Sequence, residues 1–297
     1  MRQDGKAGMQ VADGVWRIRA ANPSPMTGTG TNTYVLRGRD GAVVIDPGPA
    51  LPDHLAAVLA ALRDAPLRAI LLTHPHLDHS ALVPKLRAAT GAQVYGFGRA
   101  LAGRSAVMQR LALVGLQGGG EGVDLGFAPD VRVADGAVLA LAGLQIEAVH
   151  TPGHMGGHLC FALGEDLFSG DHVMGWASTL ISPPDGDMAD YRTSLQRLAT
   201  RGWRQFLPGH GETIADPAAR LAELVAHRRA RETAIRAALQ AGPARPADLA
   251  LQLYTDTPPA LLPAAARNIL AHLIDLHDRS VVTSAGPLGP EAQFKII

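Results

Sequence analysis

The sequence predicts an α/β (α+β) chain that ends in a smaller helical unit, and three observations predict it. Short apolar runs alternate with helical segments through the first half, the layering pattern of strands covered by helices. Histidines and aspartates recur just past the ends of those runs, where open α/β sheets place ligands. Beyond Asp216-Pro217 the pattern turns helical and closes with a hairpin. We therefore expect two units, residues 1–215 and 216–297.

Taken in order, Val15 to Arg19, Thr31 to Leu36 and Ala42 to Ile45 read as strands, and Leu51 to Leu62 as a helix. A Pro/Gly-rich loop, 22–30, separates the first two strands, and Asp46-Pro-Gly-Pro49 reads as a turn. Ala69 to Leu72 reads as a buried strand, Ala81 to Ala89 as a helix with Ser80 at its N-cap, and Gln93 to Phe97 as a strand. Arg99 to Leu113 is expected to be helical. Gly118 to Gly122 is expected to be a flexible loop, because no strand-turn-helix context supports phosphate binding there. Two strands around Ala142-Gly143 complete the stretch 131–149.

The densest chemistry lies in Thr73-His74-Pro-His76-Leu-Asp78-His79-Ser80. Imidazole and carboxylate together are the donor set of zinc and similar divalent metals. His74 and His76 stand two apart and face one way in extended chain, while Asp78 and His79 fall where the chain turns into a helix. Four donors facing two ways suggest two adjacent metals. Three later pieces each add a donor beside glycine just past a strand: Thr151-Pro-Gly-His154, Ser169-Gly-Asp171-His172 and Leu207-Pro-Gly-His210-Gly.

Thr-His-x-His-x-Asp-His at 73–79, followed in order by His154, Asp171 and His210, resembles the metallo-β-lactamase-fold superfamily. The resemblance spans about residues 14 to 215. It implies a four-layer αββα sandwich with His74, His76 and His154 on one metal, Asp78, His79 and His210 on a second, and Asp171 bridging them. The pattern Gly30-Thr-Asn-Thr-Tyr34, Leu207-Pro-Gly-His210-Gly and His227-Arg-Arg-Ala-Arg-Glu232 is similar to the β-lactamase-like protein 2 subgroup. That likeness implies a C-terminal winged-helix-like domain and includes an endoribonuclease acting on single-stranded RNA.

The expected cofactors are two zinc ions, with manganese or iron also compatible with mixed nitrogen and oxygen donors. Two metals about 3.5–4 Å apart share a water and lower its pKa toward about 7, giving a hydroxide nucleophile. Asp78 is expected to be both ligand and orienter of that water, and His172 is a candidate proton donor to the leaving group. Such a centre cleaves phosphodiesters or acyl compounds. The leading expectation is hydrolysis of single-stranded RNA. The alternatives are a thioesterase or lactonase of the glyoxalase II type, or a β-lactam hydrolase, on a small acyl substrate. A metal-bound nucleic-acid-binding regulator is the non-enzymatic alternative.

Helices are expected over 217–240, 246–254 and 258–278, with a hairpin after Val281. Nucleic acid would be met by Arg228, Arg229, Arg231 and Arg236. Nine Lys/Arg against seven Asp/Glu over 217–297 is a weak excess, which favours a lid or a homodimer surface over groove reading. The formal net charge of the chain is zero, giving no general pull toward nucleic acid or acidic membrane. Cys160, the single cysteine, excludes an internal disulfide and sits in an apolar run, as core filler rather than nucleophile. No apolar run is long enough to span a membrane, and Met1 to Gly14 lacks a signal-peptide core, so a cytoplasmic protein is expected.

Overall fold

The computed structural model describes residues 8–119 and 122–297. Seven strands form the first sheet in chain order: β1 (Met9–Ala12), β2 (Val15–Arg19), β3 (Asn32–Gly38), β4 (Gly41–Ile45), β5 (Leu67–Leu71), β6 (Gln93–Gly96) and β7 (Val131–Arg132). It is antiparallel from β1 to β4 and parallel from β4 to β7. The second sheet holds β8 (Val138–Leu141), β9 (Leu144–His150), β10 (Leu159–Leu163), β11 (Asp166–Gly170) and β12 (Gln205–Pro208), ordered β12-β11-β10-β9-β8. The β11–β12 pair alone is parallel there, because helix α5 (Met188–Leu198, numbered in chain order below) carries the crossover.

Alternation along each strand explains the layering. Tyr34, Leu36, Val43, Ile45, Ala69 and Leu71 face inward onto Ile146, Ala148, Leu159, Phe161, Phe168 and Leu207 of the second sheet. Their neighbours Val35, Val44 and Ile70 face outward, onto Val58 of α1 (Pro52–Leu62) and Leu86 of α3 (Val83–Thr90). On the far side Cys160, Leu167 and Phe206 pack against Tyr191, Leu195 and Leu198 of α5. Both faces of each sheet are covered, so the central strands read as continuous apolar runs. The result is the four-layer αββα sandwich.

Several elements differ from expectation. The helix after the histidine loop is broken into α2 (Leu77–Ser80) and α3, so Ser80 ends the first piece instead of capping the second. Pro84 has no N–H to give the Ser80 carbonyl, which interrupts the ladder. The Ser80 hydroxyl donates to Asp124 Oδ2 at 3.0 Å instead. Strand β1 was hidden in a polar, Gly-rich start; it pairs with the buried β2 while its own side chains are half-buried or exposed. Only Ala106–Leu113 of the expected Arg99–Leu113 helix forms (α4), capped by Ser105. Gly120 and Glu121, inside the expected loop 118–122, lie outside the described residues.

The C-terminal part contains α6 (Pro217–Gln240), α7 (Pro246–Leu253), a 3-10 turn (Pro259–Leu261), α8 (Leu262–Asp278) and the hairpin β13 (Val282–Ala285) and β14 (Gln293–Ile296), a winged-helix arrangement. The Asp216 side chain caps α6 by accepting from the Ala219 N–H. Helix α6 joins two cores. Its first half places Leu221 and Leu224 against the second sheet's outer face. Its second half places Ile235 and Leu239 in a cluster with Leu249, Ile269, Leu273, Phe294 and, from α4, Met108 and Leu111. Among the described residues no helix is long and apolar enough to cross a membrane.

Candidate metal centre

The seven donors named from sequence come together at one edge of the sandwich. Strand β5 delivers Thr73, His74 and His76, and α2 carries Asp78 and His79. His154 follows β9, Asp171 follows β11, and His210 follows β12. Donor atoms of His74, His76, His154 and Asp171 lie within 4.8 Å of one another, as do those of Asp78, His79 and His210. His76 Nδ1 stands 3.0 Å from His74 Nε2 and 3.1 Å from His154 Nε2. Asp78 Oδ2 is 3.2 Å from His210 Nε2 and 3.5 Å from His79 Nε2. Asp171 lies between the two groups: Oδ2 is 3.8 Å from His154 Nε2 and 3.3 Å from His210 Nε2, while Oδ1 is 3.3 Å from His79 Nε2.

Partners outside the cluster hold the rings. His154 Nδ1 donates to the Leu180 carbonyl at 2.8 Å, which turns its Nε2 inward. His74 Nδ1 lies 3.0 Å from Thr73 Oγ1, whose own proton goes to Asp46 Oδ2 at 2.8 Å. Asp46 Oδ2 also receives His79 Nδ1 at 2.9 Å, and Oδ1 receives the Thr73 N–H at 2.8 Å. Asp46 is thus the buried anchor of this loop, a role the sequence reading missed by assigning it to a turn. A signal existed: Asp46 ends β4, which runs parallel to β5, so both strands reach the same edge. Its φ of +50° lies in the left-handed region, a conformation held by these hydrogen bonds. His158 also escaped notice. It sits behind the cluster, with Nδ1 2.9 Å from Thr151 Oγ1 and Nε2 accepting the Asp171 N–H at 3.3 Å.

Close backbone approach is required at one glycine above all. A Cβ on Gly209 would stand 2.5 Å from Asp171 Oδ1 and 2.7 Å from His79 Cε1, so any side chain there would push into the cluster.

The donor chemistry fits divalent cations. Asp171 Oδ1 and His79 Nε2 are buried, face each other at 3.3 Å and, among the described residues, form no well-directed hydrogen bond. Burial, reinforced by neighbouring imidazoles, pushes His74 well below the ordinary histidine range, and burial pushes His76 down to about 3. Neutral rings leave at most the His76 Nδ1 proton to be shared with the Nε2 atoms of His74 and His154, a crowding of donor nitrogens that a cation relieves. In the other group burial opposes the charged form of histidine, but Asp78 and Asp171 overcome it and hold His79 well above its usual range. His210 is raised to about 9 against burial by Asp171 and Asp78. Burial likewise raises the Asp78 carboxyl, and His79 and His210 outweigh it, leaving it below the usual carboxylate range.

His172 is not available as a proton donor to a leaving group. It is fully buried, its ring lies against Tyr191 and His158, and burial pushes it down to about 3. The arginines expected to meet nucleic acid divide. Arg228 is buried and Arg231 is engaged with the Leu253 carbonyl and the Tyr254 ring, whereas Arg229 and Arg236 are exposed.

The cluster floors a cavity of about 360 Å³. Met26, Thr27, Leu77, Gly122, Met174, Thr179 and Leu180 form its walls, so the loops 22–30, 115–130 and 172–187 all contribute.

Residues 26–210 match the family model of the metallo-beta-lactamase superfamily. The chain belongs to that superfamily. It is a hydrolase of this fold, and residues 246–287 match the beta-lactamase associated winged helix domain. A beta-lactamase-like protein 2 homolog from Drosophila melanogaster is 32% identical over 90% of this chain and 89% of its own length. An atrochrysone carboxyl ACP thioesterase from Aspergillus chevalieri is 32% identical over 78% of this chain and 67% of its own. Among solved structures, a metallo-beta-lactamase family protein from Thermus thermophilus aligns with a TM-score of 0.77 at 26% identity, over 97% of this chain and all of that one.

Proposed function

We propose that this protein is a dinuclear metal-dependent hydrolase of a small acyl substrate, with a thioester as the first class to try. The unit spanning residues 1–215 performs the chemistry and 216–297 supports it. The observation that carries the substrate class is the cavity wall. Apart from the cluster itself it is built from Met26, Leu77, Gly122, Met174, Leu180 and the two threonines, and no Lys or Arg is among its described lining residues. Such a wall suits an acyl chain and gives nothing to offset a phosphodiester's charge. The thioesterase named among the relatives agrees with this choice.

In this reading His74, His76 and His154 would hold one ion and Asp78, His79 and His210 the other, with Asp171, whose carboxylate lies near both groups, available to either. Zinc suits the histidine-rich donor set best, and manganese and iron remain compatible. Two such ions, when bound, supply a water acidified to near neutrality and polarise the attacked carbonyl. The chain's own residues do the rest. Asp78, whose Oδ2 accepts from the Thr31 hydroxyl at 3.2 Å, is fixed to orient the attacking water. Asp46 and Thr73 keep His79 and His74 in the tautomers that aim Nε2 inward. Met26, Met174 and Leu180 exclude bulk water from the acyl group. The cytoplasm is the compartment we assign, consistent with a lone buried thiol.

A second reading, cleavage of single-stranded RNA, draws on the likeness to the beta-lactamase-like protein 2 homolog along 90% of this chain, winged helix included. One experiment separates the two. Zinc-loaded and manganese-loaded protein is assayed on S-acyl thioesters and on end-labelled single-stranded RNA, with His76→Ala prepared identically. Metal-dependent thioester hydrolysis absent from His76→Ala supports the acyl reading. RNA cleavage with the same dependence, and no thioester turnover, overturns it in favour of the nuclease.

A further inference from the structure

The wall of the cavity nearest His154 is held by the winged-helix unit. Residues 177–181 contain no helix or strand and make no backbone–backbone hydrogen bond among the described residues. Their polar groups are satisfied from elsewhere. Arg220 on α6 donates to the carbonyls of Met174 (2.8 Å) and Ala177 (2.7 Å). Arg228, also on α6, donates through Nη2 to the Thr179 carbonyl and through Nη1 to Asn268 Oδ1 on α8 at 3.3 Å. That same Asn268 oxygen accepts the Ile181 N–H at 3.0 Å. Arg267, one residue earlier on α8, donates to Ser182 Oγ at 2.9 Å. Between these anchors lie the two groups that face His154 Nδ1: the Leu180 carbonyl at 2.8 Å and Thr179 Oγ1 at 3.3 Å.

We propose that Arg228 and Asn268 are positioning residues for the metal centre: they fix the 179–181 segment, and through the Leu180 carbonyl that segment fixes the tautomer and direction of the His154 ring. Three features support a dedicated role. Arg228 is only 1% exposed, far more buried than arginine ordinarily is. It sits on α6 between the half that packs on the sandwich and the half that packs in the C-terminal core, and its guanidinium lies 5.1 Å from the Tyr191 ring centroid. Asn268 uses one oxygen to join the arginine and the pocket segment, so neither helix can shift without moving the Leu180 carbonyl. The winged unit thus takes part in the site by bracing it, and one of the four arginines expected to touch nucleic acid is the brace. This rests on the metal-centre reading above only in its consequence for metal affinity; the ring geometry is independent of it.

The test uses full-length protein carrying nitrogen-15-labelled histidine, with the variants Arg228→Met, which removes the guanidinium, and Asn268→Leu, which is near-isosteric, and with Arg279→Ala as control. Arg279 pairs with Glu232 and Asp275 of the same unit and, among the described residues, makes no hydrogen bond or ion pair to 177–182. His154 ring signals are identified by their loss in His154→Gln. In metal-free protein we expect the Nδ1–H tautomer of His154 in wild type and in Arg279→Ala, and a mixture of tautomers in the two brace variants. Cobalt titration should then show about 10–100-fold weaker binding at the His154 half in those variants, the scale seen when a partner orienting a ligand is removed. A wild-type His154 spectrum in both brace variants, with only the melting temperature lowered, would overturn the proposal. Should Arg228→Met fail to fold, Asn268→Leu alone decides it. A wild type that binds no cobalt, with the tautomer shift still seen in the brace variants, would sink the metal reading and leave the brace standing.

Discussion

His74, His76 and His154 on one side of Asp171, and Asp78, His79 and His210 on the other, are drawn from similar residue types but handle charge in opposite ways. Three imidazoles stripped of water face each other on the first side, and burial drives His74 and His76 toward the neutral form. On the second side carboxylates interleave with imidazoles, and His79 and His210 are pulled toward the protonated form. Without a cation the second side balances itself with protons, while the first side has neutral rings whose inward nitrogens converge within 3.1 Å on His76 Nδ1. A cation entering the first side meets ready donors. One entering the second must displace protons.

The change that should break the comparison most completely is Asp171→Ala, because the Asp171 carboxylate lies against donors of both sides. We expect activity on the best substrate to fall by about 10³-fold or more, as when a principal electrostatic group is removed. Bound metal, read by atomic emission, should drop below two ions per chain. Asp46→Asn should come next. It keeps the shape but weakens the direct hold on His79 and, through Thr73, the hold on His74, so metal affinity should fall about 10–100-fold at the second side and by less at the first.

Titration sharpens the contrast. His210 holds its proton until about pH 9. At pH 7 it must lose that proton to bind a cation, so affinity at the second side should rise about tenfold per pH unit toward pH 9 for each proton displaced. At the first side, where His76 sits near 3, affinity should be flat across the same range. Calorimetry in buffers of different ionisation enthalpy reads the proton release directly. Equal proton release at both sides would contradict the account.

The smallest effect lies outside the cluster. His54 is buried against Thr33 Oγ1 at 2.8 Å, and burial lowers it to about 4. A histidine whose folded pKa is depressed binds fewer protons folded than unfolded. Its stabilisation is therefore complete above about 6.5 and is lost as pH falls toward 4. Urea unfolding of metal-free protein should lose about 1–2 kcal/mol from this group between pH 7 and 5, and His54→Gln should remove that slope.

The part of this legible in sequence is the part written locally. The histidine loop, the glycine-flanked donors after β9, β11 and β12, and the strand alternation all lie in short windows whose spacing has a direct geometric meaning. What stayed hidden depends on contacts between distant segments. Asp46 is 27 residues from Thr73 and becomes its partner only through the parallel pairing of β4 and β5. Arg228 is 49 residues from Thr179, and a run of arginines on a helix gives no sign of which one faces inward. His172 stands beside a donor in sequence, yet the turn after β11 sends it into the core. The break between α2 and α3 could have been read from Pro84.

Zinc-edge anomalous diffraction from a crystal grown with excess zinc tests the central claim most directly. The account predicts two peaks, one enclosed by His74, His76 and His154 and one by Asp78, His79 and His210, with the Asp171 carboxylate between them. A single peak, or zinc held away from Asp171, would contradict it.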